Sequence, residues 1–210
     1  MYPDCSTPLK KTMNTMHTDI ILSGVGGQGI LSIATIVGAA AINEGLYIKQ
    51  AEVHGMSQRG GDVQSNLRIS SDPICSDLIP KGKADIIISL EPMEALRYLP
   101  YLRPDGWVIT NTVPFVNIPN YPEMAKIEET IAGLPHHVAI DVDAIAKEVA
   151  SPRASNIVLL GAATPFLNIN EDKIECAIAD IFSRKGEQVV EMNIKGFHAG
   201  LEFARKTIKI

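Results

Sequence analysis

No apolar run in the sequence approaches the roughly 20 residues that span a bilayer, so a membrane-spanning helix is excluded. Residues 1–18 include Lys10 and Lys11 but no apolar stretch follows them, which excludes a secretory signal. Cysteine is scarce. Cys5, Cys75 and Cys176 are scattered, and no two form a C-x-x-C pair. Such a set fits separate reduced thiols inside a cell better than a disulfide framework. It is also too small for this chain to hold its own iron–sulfur cluster, which takes about four thiolates. The five histidines include the pair His136–His137 but no H-E-x-x-H spacing, so no metal site is expected. Aromatic residues make up 5% of the chain and offer no stacking platform. Positive charge is also short: 19 Lys and Arg against 24 Asp and Glu give a net charge of −5, which argues against non-specific nucleic-acid binding.

What is present suits a sizeable core. The 210 residues are 46% hydrophobic and 20% charged, enough for one large domain. Residues 1–16, polar and carrying two prolines, read as a flexible leader, and 17–210 as a single domain. Apolar runs at 19–23, 47–53, 85–90, 106–110 and 138–140 predict strands. Residues 63–70 alternate, with Val63, Ser65, Leu67 and Ile69 on one face; this predicts a half-covered antiparallel strand near an edge. Residues 74–76 read as its hairpin return after the Asp72–Pro73 turn. Helices are predicted over 28–43, 91–98, 124–132 and the segment capped by Asp141 or Asp143, with 113–122 a proline-bearing irregular connection. From residue 156 onward the pattern is mostly helical. Alternating strands and helices predict an α/β fold: a layered, mostly parallel, Rossmann-like sheet flanked by helices, with a helical C-terminal region.

Two loops carry the candidate chemistry. Gly24-Val25-Gly26-Gly27-Gln28-Gly29 follows the first strand and opens the first helix. Backbone without β-carbons lets a ligand approach closely, and amides at a helix start attract anions, so this turn is suited to phosphate. Gly24, Gly26 and Gly29 fit the dinucleotide skeleton G-x-G-x-x-G. The ribose-binding acid expected about 20 residues on has its nearest match in Glu52, somewhat late. The second loop runs Glu52-Val53-His54-Gly55-Met56-Ser57-Gln58-Arg59-Gly60-Gly61. Its glycines permit a sharp bend, and Arg59 can meet a carboxylate or phosphate. In a parallel sheet this loop emerges beside the first glycine turn, at the carboxyl ends of the strands. Glu91 reads as a first-turn acid complementing a helix dipole, and Asn111 as a further residue at the cleft.

These two loops, with Ala84-Asp85-Ile86-Ile87-Ile88-Ser89-Leu90-Glu91-Pro92, resemble the gamma-type unit of the 2-oxoacid:ferredoxin oxidoreductases. The size and separate, cluster-free chain are most similar to the small subunit in the indolepyruvate branch of that family. The resemblance covers roughly residues 17 to 205. It implies a cytoplasmic enzyme that oxidatively decarboxylates a 2-oxoacid to an acyl-coenzyme A, releases CO2 and reduces ferredoxin. Thiamine diphosphate and 4Fe–4S clusters would lie in a large alpha subunit, so this chain would be one part of a hetero-oligomer, inactive alone and without a cofactor of its own. Coenzyme A would be the co-substrate at a shared site. Carried onto this chain, Gly24, Gly26, Gly27, Gln28 and Gly29 would form the cofactor-binding turn. His54, Ser57, Gln58, Arg59, Gly60 and Gly61 would form the substrate-binding loop. No catalytic side chain is assigned here. An independent NAD(P)- or FAD-binding oxidoreductase and a scaffold-only subunit are the alternatives.

Overall fold

The computed structural model describes residues 16–54, 61–116, 118–149 and 151–208. Six strands, β1 (His17–Val25), β2 (Tyr47–His54), β3 (Asp62–Ser70), β4 (Ala84–Ser89), β5 (Leu102–Asn111) and β6 (His137–Ile140), form one sheet in the order β2-β3-β1-β4-β5-β6. β3 runs antiparallel to both of its neighbours, β1 and β2, while β1, β4, β5 and β6 run parallel to one another. The mostly parallel α/β architecture expected from the sequence is therefore present, with one strand reversed.

Alternation along the central strands divides the core in two. Ile20 and Leu22 of β1, Ile86 and Ile88 of β4 and Ile109 of β5 face one side, where α1 (Ile30–Asn43), α4 (Val142–Val149), α5 (Ser155–Ala163), α6 (Glu171–Phe182) and α7 (Glu187–Ile208) supply the covering residues. Ile21, Ile87 and Val108 face the other, against Ala95 of α2 (Pro92–Arg97) and Ile79. α3 (Met124–Ala132) packs beside α2 and β6. Strands covered on both faces must be apolar at successive positions, which explains the run Asp-Ile-Ile-Ile at the start of β4. The C-terminal helices complete the first of these layers. α5 is buried from Ile157 to Ala163 and packs against α7.

Several expectations change. α1 starts at Ile30, not residue 28, because Gly29 is its N-cap at φ 90°. β5 starts at Leu102, four residues early, and accommodates the extra length through a bulge against β4 near Ala84 and Ile86. β3 is antiparallel and stands one strand in from the edge, as expected, but it is not half-covered. Its polar face is covered by the irregular segment 71–83: Asn66 Oδ1 accepts from the Ile79 amide at 3.2 Å, and Arg68 Nη1 donates to the carbonyls of Ser76 and Leu78. Residues 74–76 form no strand, since the Ser76 and Cys75 carbonyls accept from Arg68 and from Lys49 Nζ in place of a ladder.

Residues 1–15, most of the expected leader, lie outside the described residues. Met16 itself is tied to Ser71, its amide donating to Ser71 Oγ at 3.1 Å. Cys75 is a free, exposed thiol, whereas Cys176 is disulfide-bonded, which departs from the reading of three separate thiols. No helix among the described residues is long and apolar enough to cross a membrane.

Candidate functional site

The parallel strands all point their carboxyl ends to one rim, and the glycine turn sits on it between β1 and α1. Gly27 and Gly29 have φ of 101° and 90°, a left-handed conformation that favours glycine. At Gly29 space is short as well: a β-carbon would lie 2.7 Å from Asn156 Nδ2, the group that donates to the Gly29 carbonyl at 3.3 Å. The same steric argument gives a measurable outcome. Gly29→Ala should lower stability by about 2 kcal/mol, the sum of left-handed strain and overpacking. Urea unfolding measures it, and Asn156→Ala in the same chain should recover the steric part only.

Gln28 is engaged in holding the turn. Its Oε1 accepts from the Val25 amide at 2.7 Å, and its Nε2 donates to the Leu90 carbonyl at 3.1 Å. The carboxamide thus ties the end of β1 to the end of β4. Gly24 is confined by it, because a β-carbon there would come within 2.9 Å of Gln28 Oε1. Gly26 donates its amide to the Gly61 carbonyl at 2.9 Å, and Val25 is in register with Asp62. Gly27 and Gly29 have amides with no partner among the described residues. α1 has no side-chain cap. These amides and the uncapped helix start give the rim a positive potential without a titratable group.

Of the second loop, His54 and Gly61 mark the ends. His54 pairs through its backbone with Val63, and Gly61 meets the glycine turn as just described. Residues 55–60, with Ser57, Gln58, Arg59 and Gly60, lie outside the described residues. The base of the loop is therefore beside the first turn.

Two clefts flank that turn. One, about 420 Å³, is lined by Val25, Gly27, Gly29, Ile30, Leu31, Glu52 and Val63. The other, about 350 Å³, shares Gly27 and Gly29 and continues along Asn111, Asp143, Arg153 and Asn156. Asn111, 2% exposed, accepts from the amides of Val113 and Val142 through Oδ1 and donates to Asp143 Oδ2 and the Leu90 carbonyl. It lines this cleft from the last position of β5. Arg153 and Asn156 had no signal in the sequence beyond helix-start polarity; they stand more than a hundred residues from the turn and reach it only through the packing of α5.

The position of Glu52 bears on the dinucleotide alternative. In that fingerprint the acid lies on the strand next to β1. Here β3 intervenes, so β2 lies about 10 Å from β1, two strand spacings away instead of one. Glu91 also does more than complement a dipole. It is fully buried; Oε2 accepts from the Glu94 amide at 2.8 Å, and Oε1 accepts from the Tyr121 hydroxyl and the Phe115 amide. Burial and the Glu91 bond push the Tyr121 hydroxyl well above its ordinary value, so it remains a donor. One carboxylate thus starts α2 and secures the 113–122 connection at two points. Among the described residues no group of three or more His, Cys, Asp or Glu is arranged to hold a metal ion.

The model of the pyruvate ferredoxin/flavodoxin oxidoreductase family matches residues 19–203. The chain belongs to this family. Among its members, indolepyruvate oxidoreductase subunit IorB of Thermococcus kodakarensis is 37% identical over 202 residues, covering 90% of this chain and 97% of the relative. Subunit KorC of 2-oxoglutarate synthase from Methanocaldococcus jannaschii is 30% identical, covering 94% and 100%. Of solved family structures, the keto/oxoacid ferredoxin oxidoreductase gamma subunit of Geobacter sulfurreducens superposes with a TM-score of 0.65 at 26% identity, over 90% of this chain and 99% of that one. The Magnetococcus marinus 2-oxoglutarate:ferredoxin oxidoreductase, with 2-oxoglutarate, coenzyme A and succinyl-CoA bound, shares the fold at a TM-score of 0.72 and 24% identity; the match covers 90% of this chain and 31% of that longer one.

Proposed function

We propose that this chain is the small, gamma-type subunit of an indolepyruvate-type 2-oxoacid:ferredoxin oxidoreductase and supplies the glycine-turn wall of its coenzyme A site. The observation that carries the reading is full-length similarity to IorB subunits combined with a glycine turn whose Gly27 and Gly29 amides have no partner among the described residues and lie between two clefts. The large alpha subunit would hold thiamine diphosphate and the 4Fe–4S clusters, and ferredoxin would take the electrons. Thiamine diphosphate supplies the carbanion chemistry when bound there.

This chain's own part is to bind and orient. Gly27 and Gly29 leave their amides open to the coenzyme A diphosphate, and Gln28 holds the turn in that form by bridging Val25 and Leu90. The described residues of the turn bear no group that could shuttle a proton, so the wall acts by shape and fixed dipoles. The second loop, His54 to Gly61, is assigned to the substrate side, with Arg59 meeting a phosphate or the 2-oxoacid carboxylate.

Co-expression with a thiamine- and cluster-bearing partner tests the proposal. The complex should reduce an acceptor dye with indolepyruvate in a coenzyme A-dependent way, and this chain alone should not. Gly27→Ala adds a methyl group on the cleft wall, where no neighbour lies within 4 Å, and strains the turn because φ there is 101°. The variant complex should assemble, with KM for coenzyme A raised about tenfold. Arg59→Ala in the same assay tests the loop assignment. Assembly with an unchanged KM in both variants would leave only the scaffold role, and saturable binding of NAD(H), NADP(H) or FAD to the chain would favour the independent oxidoreductase.

A further inference from the structure

The two edges of the sheet differ. β6 is four residues long, and a short edge offers little for another strand to pair with. β2 is eight residues long, contains no proline, and pairs with β3 without a break from Tyr47 to His54. Among the described residues nothing pairs with its outer side, so a row of backbone amides and carbonyls about 27 Å long faces outward there. A lysine on an edge strand usually blocks such pairing. Lys49 is turned back, however, with Nζ donating to the Cys75 carbonyl at 3.2 Å. Tyr47 and Val53, 50% and 55% exposed, stand near the two ends of β2 and on the same face.

An edge of this kind takes an extended strand, and its own sequence selects the occupant. Two copies of β2 that meet antiparallel about a two-fold axis place one residue opposite itself. Centred on Lys49 or on Glu52, the pairing would set like charges against each other. Centred on Ala51, it would leave Tyr47 beyond the end of the second strand and set Lys49 against Val53. Centred on Gln50, it sets Tyr47 opposite Val53 of the second copy and Val53 opposite the second copy's Tyr47. Both exposed apolar side chains are then covered, in the aromatic–β-branched pairing that stabilises antiparallel strands. Lys49 faces Ala51, Glu52 faces Ile48, and no charge lies opposite its like. The carboxamide on the axis is both donor and acceptor, so it can bond to its own copy.

We infer that two copies of this chain join through their β2 edges, antiparallel about a two-fold axis at Gln50, so that their six-stranded sheets continue into one another. This self-association surface is independent of the coenzyme A reading above.

The full chain tests it. Directly opposed residues of antiparallel strands have α-carbons about 4.5–5.5 Å apart, within disulfide reach. In a Cys75→Ser background, Gln50→Cys treated with diamide should therefore give a covalent dimer on a non-reducing gel, reversed by thiol. Glu52→Cys should not, because its two copies would lie about 14 Å apart along the strands. Sedimentation of the unaltered chain should show a dimer. Tyr47→Lys should raise the dimer dissociation constant at least about tenfold, and adding Val53→Glu should bring it back to within about threefold, since each lysine then faces a glutamate. A chain that sediments as a monomer at every concentration overturns the inference. A Tyr47→Lys dissociation constant within about twofold of the unaltered chain does so too, as does a cross-link formed by Ala51→Cys or Glu52→Cys in place of Gln50→Cys. Sedimentation of the unaltered chain and of the two charge variants decides the matter even where a cysteine variant fails to fold.

Discussion

Gly200→Ala should cost this chain about 3 kcal/mol, the upper part of the range for overpacking, and lower its melting temperature by about 6–12 °C for a domain of this size. Gly200 of α7 crosses α5 so closely that its β-carbon would overlap the Val158 carbonyl oxygen, lying 2.8 Å from the Val158 carbonyl carbon and 3.0 Å from the Ala162 amide nitrogen. The reverse contact is as close: a β-carbon on Gly161 would overlap the Phe197 carbonyl oxygen and lie 2.9 Å from the Leu201 nitrogen. These are backbone atoms, so no rotamer change relieves the clash; the helices must separate. Phe197, Leu201 and Val158, all buried, would lose their packing. Gly196→Ala is the internal control. It sits on the same helix, but its nearest neighbours are side-chain atoms, Ala154 Cβ at 3.3 Å and Val158 Cγ2 at 3.4 Å. Both variants gain about 1 kcal/mol of helix propensity. Gly196→Ala should therefore be close to neutral while Gly200→Ala is severe. Chemical denaturation of both measures the difference, and equal effects would dismiss the crossing as its cause.

Arg68→Ala should cost about as much, roughly 3–5 kcal/mol, for an electrostatic reason. Arg68 donates to Asp19 through Nε at 2.7 Å and Nη2 at 3.0 Å, and the Asp19 side chain is 3% exposed. His17 Nε2 lies 3.0 Å from the same carboxylate. Removing the guanidinium leaves a buried carboxylate beside Asp85, whose Oδ2 already accepts the Asp19 amide at 2.6 Å. It also frees the segment 71–83, whose Ser76 and Leu78 carbonyls accept from Arg68. Replacing both partners by apolar residues removes the stranded charge, so Asp19→Leu with Arg68→Leu should lose less stability than Arg68→Ala alone. A double-mutant cycle by urea unfolding decides it.

The same arginine explains where the sequence was hard to read. Alternation in β3 suggests one wet face, since Gln64, Asn66, Arg68 and Ser70 are polar. Polar residues on a strand imply solvent only if nothing else satisfies them, and here a coil does, through Asn66 and Arg68. A coil leaves no periodic signal, so the cover was not visible, although the antiparallel run and the place of β3 near an edge were. By contrast, β1, the glycine turn and α1 follow from local rules: an apolar strand, residues free to take positive φ, and small apolar residues on a packed helix. Asn170 also follows a local rule, its Oδ1 capping α6 by accepting the Asp172 amide at 2.9 Å. At the site, the turn was legible but the role of Gln28 was not, because its two partners include Leu90, 62 residues away. Arg153 and Asn156 reach the rim through the α5–α7 packing, which no spacing in the sequence encodes.

The amide of Gly26 and the carbonyl of Gly61 form a single peptide-to-peptide link between the phosphate-suited turn and the foot of the second loop. Displacing one displaces the other. Anything that shifts the foot of the second loop would thereby alter the width of the cleft beside the turn.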